Sequence, residues 1–143
     1  MDSISKHISY EEATRSNTGK RLRVSNDPNE EQLVCMRNTA TAIFEPVREH
    51  FDVPIYISSF FRSSELNTVV KGSKNSQHVL GEAIDIDAHI FGGISNRNIF
   101  EWVRDNLDFD QLIWEYGNAN EPDWVHISYT TRRPNRRQII YMK

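Results

Sequence analysis

The stretch Ala83-Ile84-Asp85-Ile86-Asp87 constrains the fold of this chain more strongly than any other. Side chains alternate between the two faces of a strand, so Ala83, Asp85 and Asp87 would share one face, opposite Ile84 and Ile86. The isoleucine face predicts burial against a core. The two carboxylates on the other face need a cation, a hydrogen-bond donor or solvent beside them. The stretch therefore predicts a strand with one buried face and one face available for chemistry.

The elements around this strand predict an α+β fold. Ser9 and Glu12 form a capping-box pattern that opens a helix through about Ser16, stopped before Gly19. Asp27 and Pro28 predict the start of the longest helix, whose apolar stripe continues to Val47 and which Pro46 kinks or ends. Further signals predict a short helix or turn after Ser63 and a helix from Ser95 to about Leu107, with strands at residues 53–61, 112–116 and 124–129. Because the helices come first and most strands follow, we expect a small antiparallel sheet flanked by helices.

Composition limits the function classes. A chain of 143 residues fits one domain, taken here as residues 1–143. The net charge of −3 argues against a nucleic-acid partner, and no apolar run reaches the roughly 20 residues of a membrane helix. No secretory signal is predicted at the start of the sequence. Cys35 is the single cysteine, and its helical setting predicts packing. The arginines near the C-terminus are expected to form a solvated tail.

A second informative stretch, Asp123-Trp124-Val125-His126, adds a histidine to the predicted chemistry. In a strand, Trp124 and His126 share a face. Together, His78, Asp85 and His126 offer two imidazoles and one carboxylate. Three such ligands with one open position are the arrangement of a catalytic zinc.

Two further residues complete this hypothesis. Asp123 is a candidate general base, although ideal strand geometry points it away from His126 unless the chain bends after Pro122. Arg62, at a strand end, is a candidate for stabilising an oxyanion or holding a substrate carboxylate. The spacing alone leaves a second interpretation open, in which the histidines are satisfied in the core and the acids are solvated. The helical His-Glu-x-x-His motif of many zinc proteases is absent.

Three motifs together resemble a known family. They are Ser76-x-His78-x-x-Gly81-x-Ala83-x-Asp85, Asp123-Trp124-Val125-His126 and Ser59-Phe60-Phe61-Arg62. In this order they resemble the zinc D-Ala-D-Ala carboxypeptidase family, which includes phage L-alanyl-D-glutamate endolysins. The resemblance is greatest to small, single-domain members from phages and prophages. It implies the fold shared with the hedgehog signalling domain and one zinc ion per chain.

The resemblance also implies roles for individual residues. The zinc ligands fall on His78, Asp85 and His126. The catalytic acid/base falls on Asp123, and the arginine that stabilises the transition state falls on Arg62. Ser76 is implied as a substrate contact, and Trp124 is a second candidate contact. Phe60 stands where many relatives have glycine, which raises the question of whether the backbone leading to Arg62 follows the same path.

The predicted function is zinc-dependent hydrolysis of a peptide bond in the stem peptide of peptidoglycan. A phage or prophage endolysin would be made in the host cytoplasm without a signal peptide, and would act at the cell wall after release or as part of the virion. The sequence leaves open whether the bond is D-Ala-D-Ala or L-Ala-D-Glu, and it gives no oligomeric state. The alternatives are a non-catalytic or virion-structural module with the same fold and, with less support, a metal-dependent nuclease.

Overall fold

The computed structural model describes residues 3–143 and contains helices packed on a five-stranded sheet. The helices are α1 Tyr10–Thr14, α2 Asn17–Leu22, α3 Glu30–Thr39, α4 Glu45–Phe51, α5 Ser64–Val69 and α6 Asn96–Asn106, with a π-helical turn at Ala40–Phe44. The strands are β1 Tyr56–Ser59, β2 Ala83–Asp87, β3 Gln111–Glu115, β4 Trp124–Ser128 and β5 Gln138–Met142. The predicted α+β class is confirmed.

The sheet has the strand order β1-β2-β4-β3-β5. The first three pairings in this order are antiparallel, as predicted, whereas β5 pairs with β3 in parallel. Strand β5 was not predicted, because most of its residues are exposed and the segment lacks an alternating pattern of burial. It forms one edge of the sheet, with β1 at the other.

The core lies between one face of the sheet and the helices. Strand β2 contributes Ile84 and Ile86 to it, as the alternation predicted. The largest helical contributions come from the stripe on α3, the π-helical turn and α4, and from α6. These core residues are Leu33, Met36, Ile43, Val47, Ile99, Phe100 and Val103. The opposite face of the central strands is therefore left to carry polar groups.

Three of the four predicted helix starts are confirmed. The Ser9–Glu12 capping box opens α1, Ser63 caps α5 and Ser95 caps α6. The predicted cap at Asp27 is wrong, since α3 begins at Glu30 with Asn29 as its cap. The Asn29 side chain accepts a hydrogen bond from the Gln32 amide, and the Gln32 side chain accepts one from the Asn29 amide, both over 2.8 Å.

The segments on either side of α3 also differ from expectation. Helix α2 contains Gly19, where the first helix was predicted to have ended, because the Ser16 side chain caps a separate helix. The long helix does not end at Pro46 but continues to Phe51. A π-helical turn precedes this proline, whose missing N–H and ring disfavour regular α-helical bonding. No helix among residues 3–143 combines the length and apolarity needed to cross a membrane.

Candidate metal centre

His78 is delivered to the polar face of the sheet by a tight turn. The Ser76 hydroxyl accepts a hydrogen bond from the His78 amide over 3.2 Å, and the His78 carbonyl accepts one from the Arg62 amide over 3.2 Å. Gly81 closes the turn with a φ of +78°, and a Cβ at this position would lie 2.7 Å from the Gln32 carbonyl oxygen. Gly81 is therefore required both for its backbone conformation and for the close approach of the turn to α3.

The His78 ring is buried and its orientation is fixed. Its Nδ1 atom lies 2.6 Å from the backbone carbonyl oxygen of Phe60. A carbonyl oxygen only accepts, so Nδ1 carries a proton and donates this bond, which leaves Nε2 as the nitrogen that faces Asp85. That Nε2 atom is buried and has no hydrogen-bond partner within the described chain, although the Asp85 carboxylate lies nearby.

Phe60 resolves the question raised by the missing glycine. Its side chain belongs to the core and is 1% exposed. Its φ is not positive, so the conformation that glycine alone favours is not used here. The phenylalanine thus fills the core while its carbonyl orients His78.

Asp85 and His126 face each other across the β2–β4 pairing. His126 Nδ1 lies 2.8 Å from Asp85 Oδ1, and His78 Nε2 lies 3.2 Å from Asp85 Oδ2. One potential ligand atom from each of the three residues lies within 4.8 Å of the others. The structure thus brings together all three residues that the sequence predicted as zinc ligands.

Electrostatics keep Asp85 ionised. Burial alone would raise its pKa, but the neighbouring His78 and the hydrogen bond from His126 hold the pKa well below its usual range. An ionised carboxylate beside two imidazole nitrogens is a donor set that zinc commonly takes. The buried Nε2 of His78 without a hydrogen-bond partner also fits a metal ligand, so the residues present are compatible with zinc.

Arg62 lies in the same cavity, where its guanidinium is partly buried. Its Nη1 donates to Asn67 Oδ1 over 3.2 Å, and the buried Asn67 donates in turn to the Ser73 carbonyl over 2.9 Å. A Cβ at Gly72 would lie 2.0 Å from Asn67 Oδ1, so any other residue here would displace the Asn67 side chain. No sequence motif pointed to Asn67, since this contact depends on how α5 and the loop pack.

The cavity around the three candidate ligands has a volume of about 1100 Å³. It is lined by Ser76 and Trp124, the two predicted substrate contacts, and by Arg62. Asp123, the predicted base, is exposed and is not among the lining residues. Glu115 does line the cavity, next to Trp124 on the neighbouring strand.

The C-terminal arginines are not the solvated tail that the sequence suggested. Arg132 forms a two-point ion pair with the buried Glu82, at 2.7 and 2.8 Å. Arg133 and Arg136 both contact the buried Asp110, at distances from 2.7 to 3.0 Å. Buried carboxylates require such partners, and these pairings place the arginines along the cavity wall.

Asp87 shares the face of Asp85 but has a different role from a ligand. Its Oδ1 accepts hydrogen bonds from the side chain of the buried Asn96 and from the His89 amide, each over 3.0 Å. The Asn96 side chain also donates to the Asp123 carbonyl over 3.0 Å. Asp87 therefore helps to join the ends of β2 and β4 to α6.

The fold and this donor set define a class: an α+β protein with a His-Asp-His site suited to a catalytic metal. The family model described as Peptidase M15 matches residues 6–128 of the chain. The chain therefore belongs to the Peptidase M15 family, a family of zinc-dependent metallopeptidases. No match was found among curated proteins.

Proposed function

We propose that this protein is a zinc-dependent peptidase that hydrolyses a peptide bond in the stem peptide of peptidoglycan. The observation that carries the proposal is the convergence of His78, Asp85 and His126 within 4.8 Å, in a chain of the Peptidase M15 family. A single zinc ion would be held by one imidazole nitrogen of His78, one of His126 and the carboxylate of Asp85. Zinc at this position would supply a Lewis acid that polarises a peptide carbonyl and increases the acidity of water.

Arg62 supports the reaction by electrostatic stabilisation. Negative charge develops on the carbonyl oxygen during attack, and a guanidinium that is already positioned stabilises it without reorganisation. The hydrogen bond to Asn67 holds one side of the guanidinium. Burial lowers the pKa of Arg62, and the negative charge of the nearby Asp85 partly offsets this effect. We therefore assign Arg62 to the oxyanion.

The charge of the cavity favours substrates that carry carboxylates. Its basic lining residues are Arg62, Lys71, Lys74, Arg132, Arg133 and Arg136. Stem peptides of peptidoglycan carry free carboxylates, which such a wall attracts. Ser76 and Trp124 lie on the same cavity and are proposed as substrate contacts.

The biological setting is part of the proposal. A phage or prophage endolysin that reaches the cell wall after release agrees with a wall-directed peptidase, as does a virion-borne enzyme. Asp123 stays a prediction for the general base, made from the motif.

Digestion of purified peptidoglycan tests the function. The zinc-loaded protein should release fragments whose new termini, identified by mass spectrometry, lie at D-Ala-D-Ala or at L-Ala-D-Glu. The variant His78→Ala and a sample treated with a chelator serve as controls and should release none. If walls of several chemotypes yield no fragment, the protein is a binding or virion-structural module, and nicking of a plasmid would instead indicate a nuclease.

A further inference from the structure

Arginine side chains form one wall of the cavity around the candidate metal centre. Arg132 and Arg136, which we call the arginine pair, both line this cavity. Their carboxylate partners are Glu82 and Asp110, which are 2% and 0% exposed. Neither carboxylate is among the residues that line the cavity. The cationic member of each ion pair is therefore the one that faces the cavity.

The two guanidiniums are bound in the same way. Arg132 donates through Nε and Nη2 to both oxygens of Glu82, over 2.8 and 2.7 Å. Arg136 donates through the same two atoms to both oxygens of Asp110, over 3.0 and 2.8 Å. Two parallel hydrogen bonds fix the plane of a guanidinium as well as its position. The arginine pair is thus ordered before any ligand binds, which lowers the entropic cost of binding.

The opposite edge of each guanidinium is unused. Within residues 3–143, Nη1 of Arg132 and Nη1 of Arg136 make no hydrogen bond, and the two side chains are 51% and 48% exposed. The two cations also lie close enough to interact. The hydrogen bond with Asp110 raises the pKa of Arg136, and the like charge of Arg132 opposes this effect. Two neighbouring sets of N–H donors are therefore available to one ligand in the cavity.

The charge of this wall selects an anion. Asp110 also pairs with Arg133, so three arginines face two carboxylates, and these ion pairs leave one positive charge uncompensated. Lys71 and Lys74 add further positive charge to the cavity. A carboxylate offers a guanidinium two acceptor oxygens and a negative charge, whereas a carboxamide offers one acceptor oxygen and no charge. The wall therefore suits a carboxylate better than a carboxamide of the same size.

We propose that the arginine pair binds a free carboxylate of the substrate and selects it over the corresponding carboxamide. This inference rests on the proposed peptidase function, because a peptide in the cavity then supplies the carboxylate. The pair determines specificity and takes no part in bond cleavage. Glu82 and Asp110 act as positioning residues, since they hold the two guanidiniums from behind the cavity wall.

Matched stem peptides that differ only by a carboxylate or its carboxamide test this inference, with each carboxylate of the peptide amidated in turn. Calorimetry measures affinity for the chelator-treated protein, in which hydrolysis does not interfere, and turnover is measured with the zinc-loaded protein. A hydrogen bond between charged groups changes affinity by roughly 10–100-fold. We expect amidation of one carboxylate to weaken binding and to raise KM by that factor, with kcat within about threefold of its original value.

Two variants identify the residues responsible. Arg136→Gln removes one member of the pair and leaves Asp110 its ion pair with Arg133. Replacement of Arg132 alone would leave Glu82 buried without its charged partner, so the double variant Arg132→Gln/Glu82→Gln is used instead. Thermal denaturation checks that both variants are folded. Each should lower the preference for the carboxylate to about threefold or less.

Arg137→Gln is the matched control. Arg137 lies in the same segment, but its side chain donates to the backbone carbonyls of Leu107 and Arg104 and is not among the lining residues. This variant should keep the preference of the parent protein.

Equal affinity of the parent protein for every peptide overturns the role of the arginine pair, and so does an unchanged preference in both variants. Fragment release by the zinc-loaded protein would then still support the peptidase function. A protein that prefers the carboxylate but releases no fragment from peptidoglycan overturns the peptidase function and leaves the carboxylate site intact.

Discussion

The backbone carbonyl of Phe60 accepts a hydrogen bond from Nδ1 of His78 over 2.6 Å. Metal-binding histidines commonly use their second nitrogen in this way, because the bond fixes the tautomer and the direction of the ring. Phe60 itself is anchored by a side chain in the core. The orientation of one candidate ligand is therefore set by hydrophobic packing on the other side of the same residue.

Removal of His78 should abolish tight metal binding. Loss of a residue that only hydrogen-bonds to a metal ligand lowers metal affinity about 10–100-fold. Loss of a ligand itself should have a larger effect, so we expect His78→Ala to weaken zinc binding by more than about 100-fold. Competition with a chromophoric chelator measures the effect. His89→Ala is the control, since His89 is exposed and lies outside the ligand set. Equal zinc affinity in both variants would contradict the assignment of His78.

Arg62→Ala should lose turnover but keep zinc. A single donor to an oxyanion is worth about 10²–10³-fold in kcat, and Arg62 is not among the three ligands. Steady-state kinetics on peptidoglycan fragments and elemental analysis provide the two measurements. Arg97→Ala, an exposed arginine on α6 that pairs with Glu101, should leave both unchanged. A kcat of Arg62→Ala equal to that of the parent protein would contradict the assignment of Arg62 to the oxyanion.

Asp110 should contribute stability that depends on pH. Burial alone would raise its pKa, but Arg136 and Arg133 hold it far below its usual range. Because the pKa is lower in the folded state, the contribution is present above the ordinary value of about 3.9 and is lost as the pH falls below it. Asp110→Asn should cost about 2 kcal/mol at pH 7, since the carboxylate is buried while its arginines are partly exposed.

Urea denaturation at several pH values measures this contribution. The free energy of unfolding of the parent protein should fall more steeply between about pH 5 and pH 2 than that of Asp110→Asn. Asp52→Asn is the control, because the Asp52 side chain is 95% exposed, and it should resemble the parent protein. Identical pH profiles for the parent and Asp110→Asn would argue against the buried ion pairs.

Gly81→Ala should destabilise the turn that carries His78. Both Gly81 and Gly92 have a positive φ, of +78° and +77°. A Cβ at Gly81 would also lie 2.7 Å from the Gln32 carbonyl, whereas a Cβ at Gly92 would meet nothing within 4 Å. We expect Gly92→Ala to cost about 1 kcal/mol from backbone strain alone, and Gly81→Ala clearly more. Thermal denaturation of the two variants would reveal an equal loss if the contact with α3 is unimportant.

Local patterns in the sequence predicted much of the site. The alternation from Ala83 to Asp87 gave the bounds of β2 and the face of Asp85, because a strand with one buried side leaves little freedom of register. The capping signals at Ser9 and Ser95 were equally local. Asp123 precedes β4 and its side chain is exposed, so its role as general base stays a prediction from the motif.

Contacts between distant segments could not be read from the sequence. Glu82 and Arg132 are 50 residues apart, and Asp110 and Arg136 are 26 apart. A cluster of arginines near a chain end is expected to be solvated when only the sequence is known. The fold changes this expectation, because it places buried carboxylates beside the arginines. Glu115 likewise occupies an ordinary strand position, and only the pairing of β3 with β4 places it beside His126.

Strand β5 and the arginines before it lie outside the segments that carry the candidate metal ligands. The candidate metal ligands lie on β2, on β4 and in the turn before β2, whereas Arg132 to Arg136 and β5 follow the segment matched by the family model. Substitutions in this C-terminal segment can change one wall of the cavity without altering a candidate ligand. Selection for a different substrate can therefore act on this wall while the candidate metal centre stays as it is.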